Sequence, residues 1–344
     1  MAHSLAILRA MTNTIRRGFT IAIAIATLHA AACGRSEIPL ESDRGPLVVY
    51  NAGSLARPMR AAIDSFAASS GATVEQESSG SLEAARKLTE LGKIPDVIAL
   101  ADYEVFPQLL VPSHVTWYAS FARNRLVLAY TPRSKFADEV DADNWLQVLL
   151  SPGVEIGRAD PDLDPTGYRT LMAFELAERH EGRPGLADKL RRAVPRRNVR
   201  AKGADLVALL QAGEFDYVWV YESVAQAASL RYVRLADRVD LGAPAESTFY
   251  AGTSVRVAGS KPGDSLTFRG EAIRYALAIP AAAQHPRLAE RFVAFLLSAD
   301  GARILRRERL DVLDEPVFVG SGIPPLLDSL AKPRLPLDSL ARPR

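Results

Sequence analysis

The chain has 344 residues, 48% of them hydrophobic and 24% charged, and 42 Lys and Arg against 40 Asp and Glu give a formal net charge of +2. Such a length suffices for about two domains with their own cores, and with only one cysteine, Cys33, no intrachain disulfide can form. Balanced charge with no basic stripe and no interleaving of arginines with aromatics argues against nucleic acid as a partner.

The first 32 residues read as an export signal. Arg16-Arg17 supplies a positive start, Gly18 to Leu28 a short apolar run, and Ala30-Ala31-Ala32 a small-residue cleavage site before Cys33. The run is too short to span a bilayer comfortably. Small residues ahead of Cys33-Gly34 resemble a bacterial lipoprotein box, which predicts lipidation of Cys33 and a membrane anchor; plain secretion is the alternative. Either way the protein is expected outside the cytoplasm, with residues 33–45 as a linker.

From residue 46 onward strand and helix signals alternate. Leu47 to Tyr50 reads as a buried strand, and Leu55, Met59, Ile63 and Phe66 recur at helical spacing, with Pro58 in the first turn. Leu82 to Leu91 marks a second helix, Asp96 to Leu100 and Arg125 to Tyr130 two more strands. Val154 to Gly157, Tyr217 to Tyr221 and Tyr275 to Ile279 follow, with helices after each. Alternation of this kind predicts mainly parallel sheets flanked by helices. One sheet of that length would be large, so the expectation is two α/β lobes: residues 46–128 with 251–324, and residues 129–250. Trp145 and Trp219 are read as core. The C-terminus repeats an octapeptide, Leu327 to Arg334 and Leu337 to Arg344. Pro-rich copies this short form no core, so residues 325–344 are predicted to be a disordered tail.

Three loops carry the chemistry. Asn51-Ala-Gly-Ser54 ends the first strand and opens a helix: Gly53 allows close backbone approach, Ser54 offers a hydroxyl, and the helix start offers unpaired N–H groups, a combination that holds an anion. Gly80 and Ser81 repeat the arrangement. A plain serine cap explains either loop alone; two of them at strand ends would open on one crevice. The third loop, Asp160 to Arg169, places Asp160, Asp162 and Asp164 close together before a helix, so their repulsion must be relieved by cations, donors or exposure. An exposed Asp/Pro turn is the simpler reading.

Asn51-Ala-Gly-Ser-Leu55, Ser79-Gly-Ser81, Lys93 to Tyr103, Trp117 to Asn124 and Asp164-Pro-Thr-Gly-Tyr-Arg169 together resemble the family of tungstate/molybdate-binding proteins of ABC importers, over residues 47 to about 310. The resemblance implies a two-lobed fold of the type II periplasmic-binding-protein kind, with the ligand cleft between lobes. It also implies an oxyanion cargo handed to a permease and its ATPase, no cofactor and no catalysis. Family serines map onto Ser54 and Ser81, and the aspartate that ligates molybdenum or tungsten maps onto Asp164. The family's glutamate position holds Val220 instead, with Tyr221 and Glu222 following. If the strand continues, Glu222 faces the same side about 6–7 Å further on; if a helix starts there, Glu222 is a first-turn acid favoured by the helix dipole. Six-coordination of the metal needs two added oxygens, so Asp164 alone implies either tetrahedral binding by hydroxyls and N–H groups or another ligand, sulfate or phosphate.

The binding set expected is therefore Ser54, Ser81, Asp164, Glu222 and Tyr221, supported by Asn51, Gly53, Gly80 and Arg169. Arg169 is expected to pair with Asp164 or its neighbouring carboxylates, or to face the anion. A serine hydrolase using Ser54 or Ser81 lacks a Gly-x-Ser-x-Gly and a nearby histidine, and no His/Cys cluster has metal-ligand spacing. An anion sensor signalling through the tail is a third reading.

Overall fold

A computed structural model describes residues 45–261, 263–331 and 334–336. The predicted export signal, Cys33 and the second octapeptide lie outside the described residues. The apolar run after Gly45 forms β1 (Leu47–Ala52), whose Leu47 and Val49 are fully buried. A short turn over Gly53–Leu55 leads into α1 (Ala56–Ser70), which tolerates Pro58 in its first turn. Then come β2 (Val74–Ser79), α2 (Ser81–Thr89), β3 (Val97–Leu100) and β4 (Trp117–Arg123). The chain moves to a second sheet with β5 (Leu126–Tyr130), β6 (Ile156–Ala159), α3 (Pro165–Glu181), β7 (Val199–Arg200), α4 (Gly203–Ala212), β8 (Tyr217–Tyr221), α5 (Glu222–Ala227) and β9 (Arg231–Arg234). A hairpin of β10 (Ser254–Ala258) and β11 (Ser265–Arg269) precedes β12 (Arg274–Ala278). Helices α6 (Pro286–Leu297) and α7 (Ala299–Arg307), then β13 (Asp311–Gly320) and β14 (Arg334–Leu335), complete it.

The strands make a seven-stranded sheet, β14-β13-β4-β12-β3-β1-β2, a five-stranded sheet, β7-β6-β8-β5-β9, and the separate β10-β11 ladder. Where the alternation of elements reads as mainly parallel, the pairings are mixed. β1 runs parallel to β2 and β3, but β12 is antiparallel to β3 and β4, and β5 is antiparallel to β8 and β9. The reversals fall where the chain leaves one sheet through Asn124-Arg125 and where it returns at β12. Each run that reads as a strand is one: Tyr217–Tyr221 keeps its bounds and the others differ by one or two residues at an end.

The hairpin stays out of the first sheet and lies on α3, where the rings of Phe268 and Tyr168 stack at 4.6 Å. Trp219 sits in the core, edge-on to Trp145 at 5.8 Å and to Phe174 at 5.4 Å. The first octapeptide corrects the expectation of a disordered tail from residue 325. Leu327 and Ala331 are fully buried, and Arg334-Leu335 adds a parallel strand beside Phe318-Val319. Its apolar positions are too few to show a periodicity, yet the turn at Pro325–Leu327 packs on α6 and β14 covers the edge of β13. Among the described residues no helix is long and apolar enough to cross a membrane.

Candidate functional site

The two serine loops and the Asp164 loop meet along one seam between the sheets. Asn51, buried at the end of β1, donates from Nδ2 to Ser78 Oγ (2.9 Å) and to the Ala52 carbonyl (2.8 Å), and its Oδ1 accepts from Gln76 Nε2 (2.9 Å). Its polar atoms are spent on tying the loop to β2, so it shapes the site rather than reaching into it. Ser54 Oγ accepts from the Tyr275 hydroxyl at 2.9 Å, and that hydroxyl accepts from Asn124 Nδ2 at 3.0 Å. Ser81, fully buried at the start of α2, accepts the Ala101 N–H at 3.0 Å. A hydroxyl that accepts from the protein keeps its own proton to donate elsewhere. Both serines are thus set up as donors, which is what an anion requires.

Close approach explains the glycines. A Cβ on Gly80 would lie 2.2 Å from the Leu163 carbonyl oxygen. That oxygen instead accepts N–H bonds from Leu82 (3.2 Å) and Glu83 (3.4 Å), so the first turn of α2 holds the loop that carries Asp164. A Cβ on Gly53 would stand 3.3 Å from the Lys202 side chain, and one on Gly203 3.1 Å from Thr166 Oγ1. The start of α4 therefore closes the seam opposite Ser54.

Asp164 caps α3: Oδ1 accepts the Thr166 N–H at 2.7 Å and Oδ2 the Gly203 N–H at 3.4 Å. Burial pushes its pKa up, against the two N–H bonds and the charge of Arg169, which pull it down. The other two aspartates do not crowd it. Asp160 accepts from Asp162 N–H at 2.9 Å, and Asp162 from Ala258 N–H at 2.7 Å. Each carboxylate finds its own donor, which relieves the repulsion that their spacing implies.

Arg169 corrects its expected partner. It reaches neither Asp160 nor Asp162 but forms a buried ion pair with Asp102 at 2.9 Å, and donates to the Ala101 carbonyl and the Tyr221 hydroxyl, both at 2.7 Å. The Tyr168 hydroxyl also donates to Asp102. Tyr221 lies within this network, its ring 5.9 Å from that of Tyr275, and burial first of all pushes its pKa up to about 12. It stays neutral and keeps a proton to donate.

Glu222 is not brought to the site. Tyr221 is the last extended residue and α5 begins at Glu222, so the pleat rule no longer applies. Its carboxylate meets Arg234 at 2.9 Å and Arg125 at 3.5 Å. Val220 packs with Val127, Leu206, Leu210 and Phe215 in an apolar cluster and presents no oxygen. Asp102, Tyr275, Thr166 and Gly203 were not singled out by sequence. Asp102 has a signal, a carboxylate two residues beyond a buried strand; Tyr275 has none, because strand tyrosines read as core.

Two α/β sheets facing one seam of anion-directed donors define a two-lobed binding protein. Among solved structures, the periplasmic molybdate-binding protein of Azotobacter vinelandii shares this fold with a TM-score of 0.57 at 16% identity, covering 78% of this chain and 100% of that one. The sulfate-binding protein SubI of Mycobacterium tuberculosis does so with a TM-score of 0.57 at 16% identity, covering 85% and 93%. Residues 47–308 match the family of bacterial extracellular solute-binding proteins, and the chain belongs to that family. It is 39% identical over 277 residues to an uncharacterized solute-binding protein of Petrotoga mobilis, covering 80% of this chain and 86% of that protein. To the molybdate/tungstate-binding protein WtpA of Pyrococcus abyssi it is 32% identical over 335 residues, covering 89% and 96%. The family is one of binding proteins, not of enzymes.

Proposed function

We propose that this protein captures a tetrahedral oxyanion, molybdate or tungstate, outside the cytoplasm and delivers it to the permease and ATPase subunits of an ABC importer. The observation that carries the reading is the pair of serines, Ser54 and Ser81, each with a lone pair already engaged by a protein donor and a proton left to give. Their position beside Asp164, and the relationship to WtpA over most of both chains, support it. In the closed seam, hydroxyls and backbone N–H groups bind the oxygens without water, where charge-assisted hydrogen bonds are strongest. Arg169 adds no net charge, because Asp102 neutralises it. Asp164 supplies the single carboxylate able to ligate the metal. Cys33, by its box of small residues, anchors the chain to the membrane through lipid; mass spectrometry of the membrane-extracted protein tests this.

A second reading follows from Val220 and Glu222. With one carboxylate at the seam the anion stays tetrahedral, which also suits sulfate or phosphate. Calorimetric titration of residues 34–344 with molybdate, tungstate, sulfate and phosphate separates the two. Molybdate or tungstate binding that Asp164→Ala weakens supports the first. Binding indifferent to Asp164→Ala supports the hydroxyl-only site, and no heat with any of the four rejects oxyanion capture.

A further inference from the structure

A cavity of about 250 Å³ opens directly beside the first serine loop, and its character is unlike that of the seam. Gly53 and Ser54 form one end. The remainder is lined mainly by the apolar faces of Ala56, Pro58, Ala204, Val207, Val224 and Ala227, drawn from α1, α4 and α5. An inorganic oxyanion has no use for this surface, since it carries oxygen on every side and gains nothing from contact with methyl groups. The volume lies below the usual range of about 300–1,000 Å³ for a whole ligand, so it suits a substituent rather than a second molecule.

The rim is already charge-compensated. Arg57 Nε pairs with Glu308 at 2.6 Å and Arg57 Nη1 donates to the Ala227 carbonyl at 2.8 Å. The guanidinium thus spans from α1 to α5 at the mouth with its charge spent, and what it encloses is apolar. No charged group of the rim is left to repel or attract a ligand's body.

We propose that this cavity is a subsite for the organic group of a monosubstituted oxyanion, R–XO₃, whose XO₃ end is held by Ser54, Ser81 and the neighbouring N–H groups while a small apolar or aromatic R fills the space under Arg57. The proposal rests on the oxyanion reading of the seam and adds a substrate class to it. Replacing a second metal-ligating carboxylate by Val220 fits the same picture, because a substituted anion presents three oxygens to the serine loops and needs no expansion of coordination at its centre.

Calorimetry with phenylphosphonate, methylphosphonate and molybdate on the wild type and on Ala227→Phe and Val207→Asp tests this. Both variants alter half-buried helix surface, and their unfolding midpoints check folding. The expected result is that phenylphosphonate binds roughly ten- to a hundredfold more tightly than methylphosphonate, from burial of the ring. Ala227→Phe, which fills the cavity, and Val207→Asp, which makes it polar, both remove that advantage and leave molybdate binding unchanged. Molybdate binding with no advantage for phenylphosphonate, or an advantage that survives both variants, overturns the subsite and leaves the oxyanion seam intact. Absence of binding by all three anions overturns the seam and the subsite together.

Discussion

Arg169 Nη2 stands 2.9 Å from Asp102 Oδ2, and each side chain is 5% exposed. Asp102 follows β3 of the seven-stranded sheet, and Arg169 lies on α3 beside the five-stranded one, so a buried ion pair joins the two halves behind the binding seam. Removing one member of such a pair leaves a bare charge in the interior. Asp102→Ala is expected to lower the unfolding free energy by about 3–5 kcal/mol. The double variant Asp102→Leu with Arg169→Met is expected to cost less than the two single changes added, as read by urea denaturation.

Ser81 and Ser54 should separate in their effects. Ser81→Ala strands the Ala101 N–H, which Ser81 Oγ accepts at 3.0 Å, so it is expected to cost about 1–3 kcal/mol of stability as well as at least tenfold in oxyanion affinity. Ser54 is half-buried, and its partner, the Tyr275 hydroxyl, also holds Asn124. Ser54→Ala is expected to lose similar affinity with little change in midpoint. Titration and thermal unfolding of the two variants side by side give the comparison.

Glu222 and Val220 give opposite expectations to those drawn from family position alone. Glu222→Gln changes a carboxylate held by Arg234 and Arg125, so oxyanion affinity should stay within about twofold and stability within about 1 kcal/mol. Val220→Glu places a carboxylate among Val127, Leu206 and Phe215. It is expected to destabilise by about 3 kcal/mol or more without tightening molybdate binding. A tightened Kd in Val220→Glu would show that the carboxylate reaches the seam.

Glu104 gives the clearest pH dependence. Burial, then the neighbouring charge of Asp102, raises its pKa to about 7. In the unfolded chain the carboxyl ionises near its ordinary value of 4.5, so between pH 4.5 and 7 the folded form holds a proton that the unfolded form has lost. Stability contributed by this group therefore falls as pH rises through that window, and is flat above it. The difference is on the order of 3 kcal/mol. Glu104→Gln should be flatter than the wild type across the window in urea midpoints measured at pH 5 and pH 7.5.

Local signals carried much of this architecture. The apolar run at Leu47 to Tyr50 and the Gly-Ser turns depend on neighbours in sequence and stand where these place them, although neither serine caps its helix; the helix after the third loop begins at Pro165, inside the stretch that reads as loop, with Asp164 as its cap. Long-range pairing was not legible in the same way. Proximity in sequence offers Arg169 only Asp160, Asp162 and Asp164, whereas the fold supplies Asp102 from the loop after β3 of the other sheet. β13, with its Asp, Glu and Pro316, lacks the alternation of a half-buried strand, and its register shifts between Val312 and Val317. Of the two readings of Glu222, a strand residue one pleat beyond Val220 or a first-turn helix acid, the structure has the second, because the strand ends at Tyr221.

The grip of Leu82 and Glu83 on the Leu163 carbonyl is made of main-chain atoms alone. Substitution of any of these three residues, proline at the donors excepted, leaves the groups in place. Side chains around the rim are thus free to diverge and retune what is captured, while the closing geometry is inherited through the backbone. Gly80 is the exception, because a side chain there would collide with that same carbonyl. Drift in cargo and loss of closure are therefore separable events, the second resting on one unsubstituted Cα.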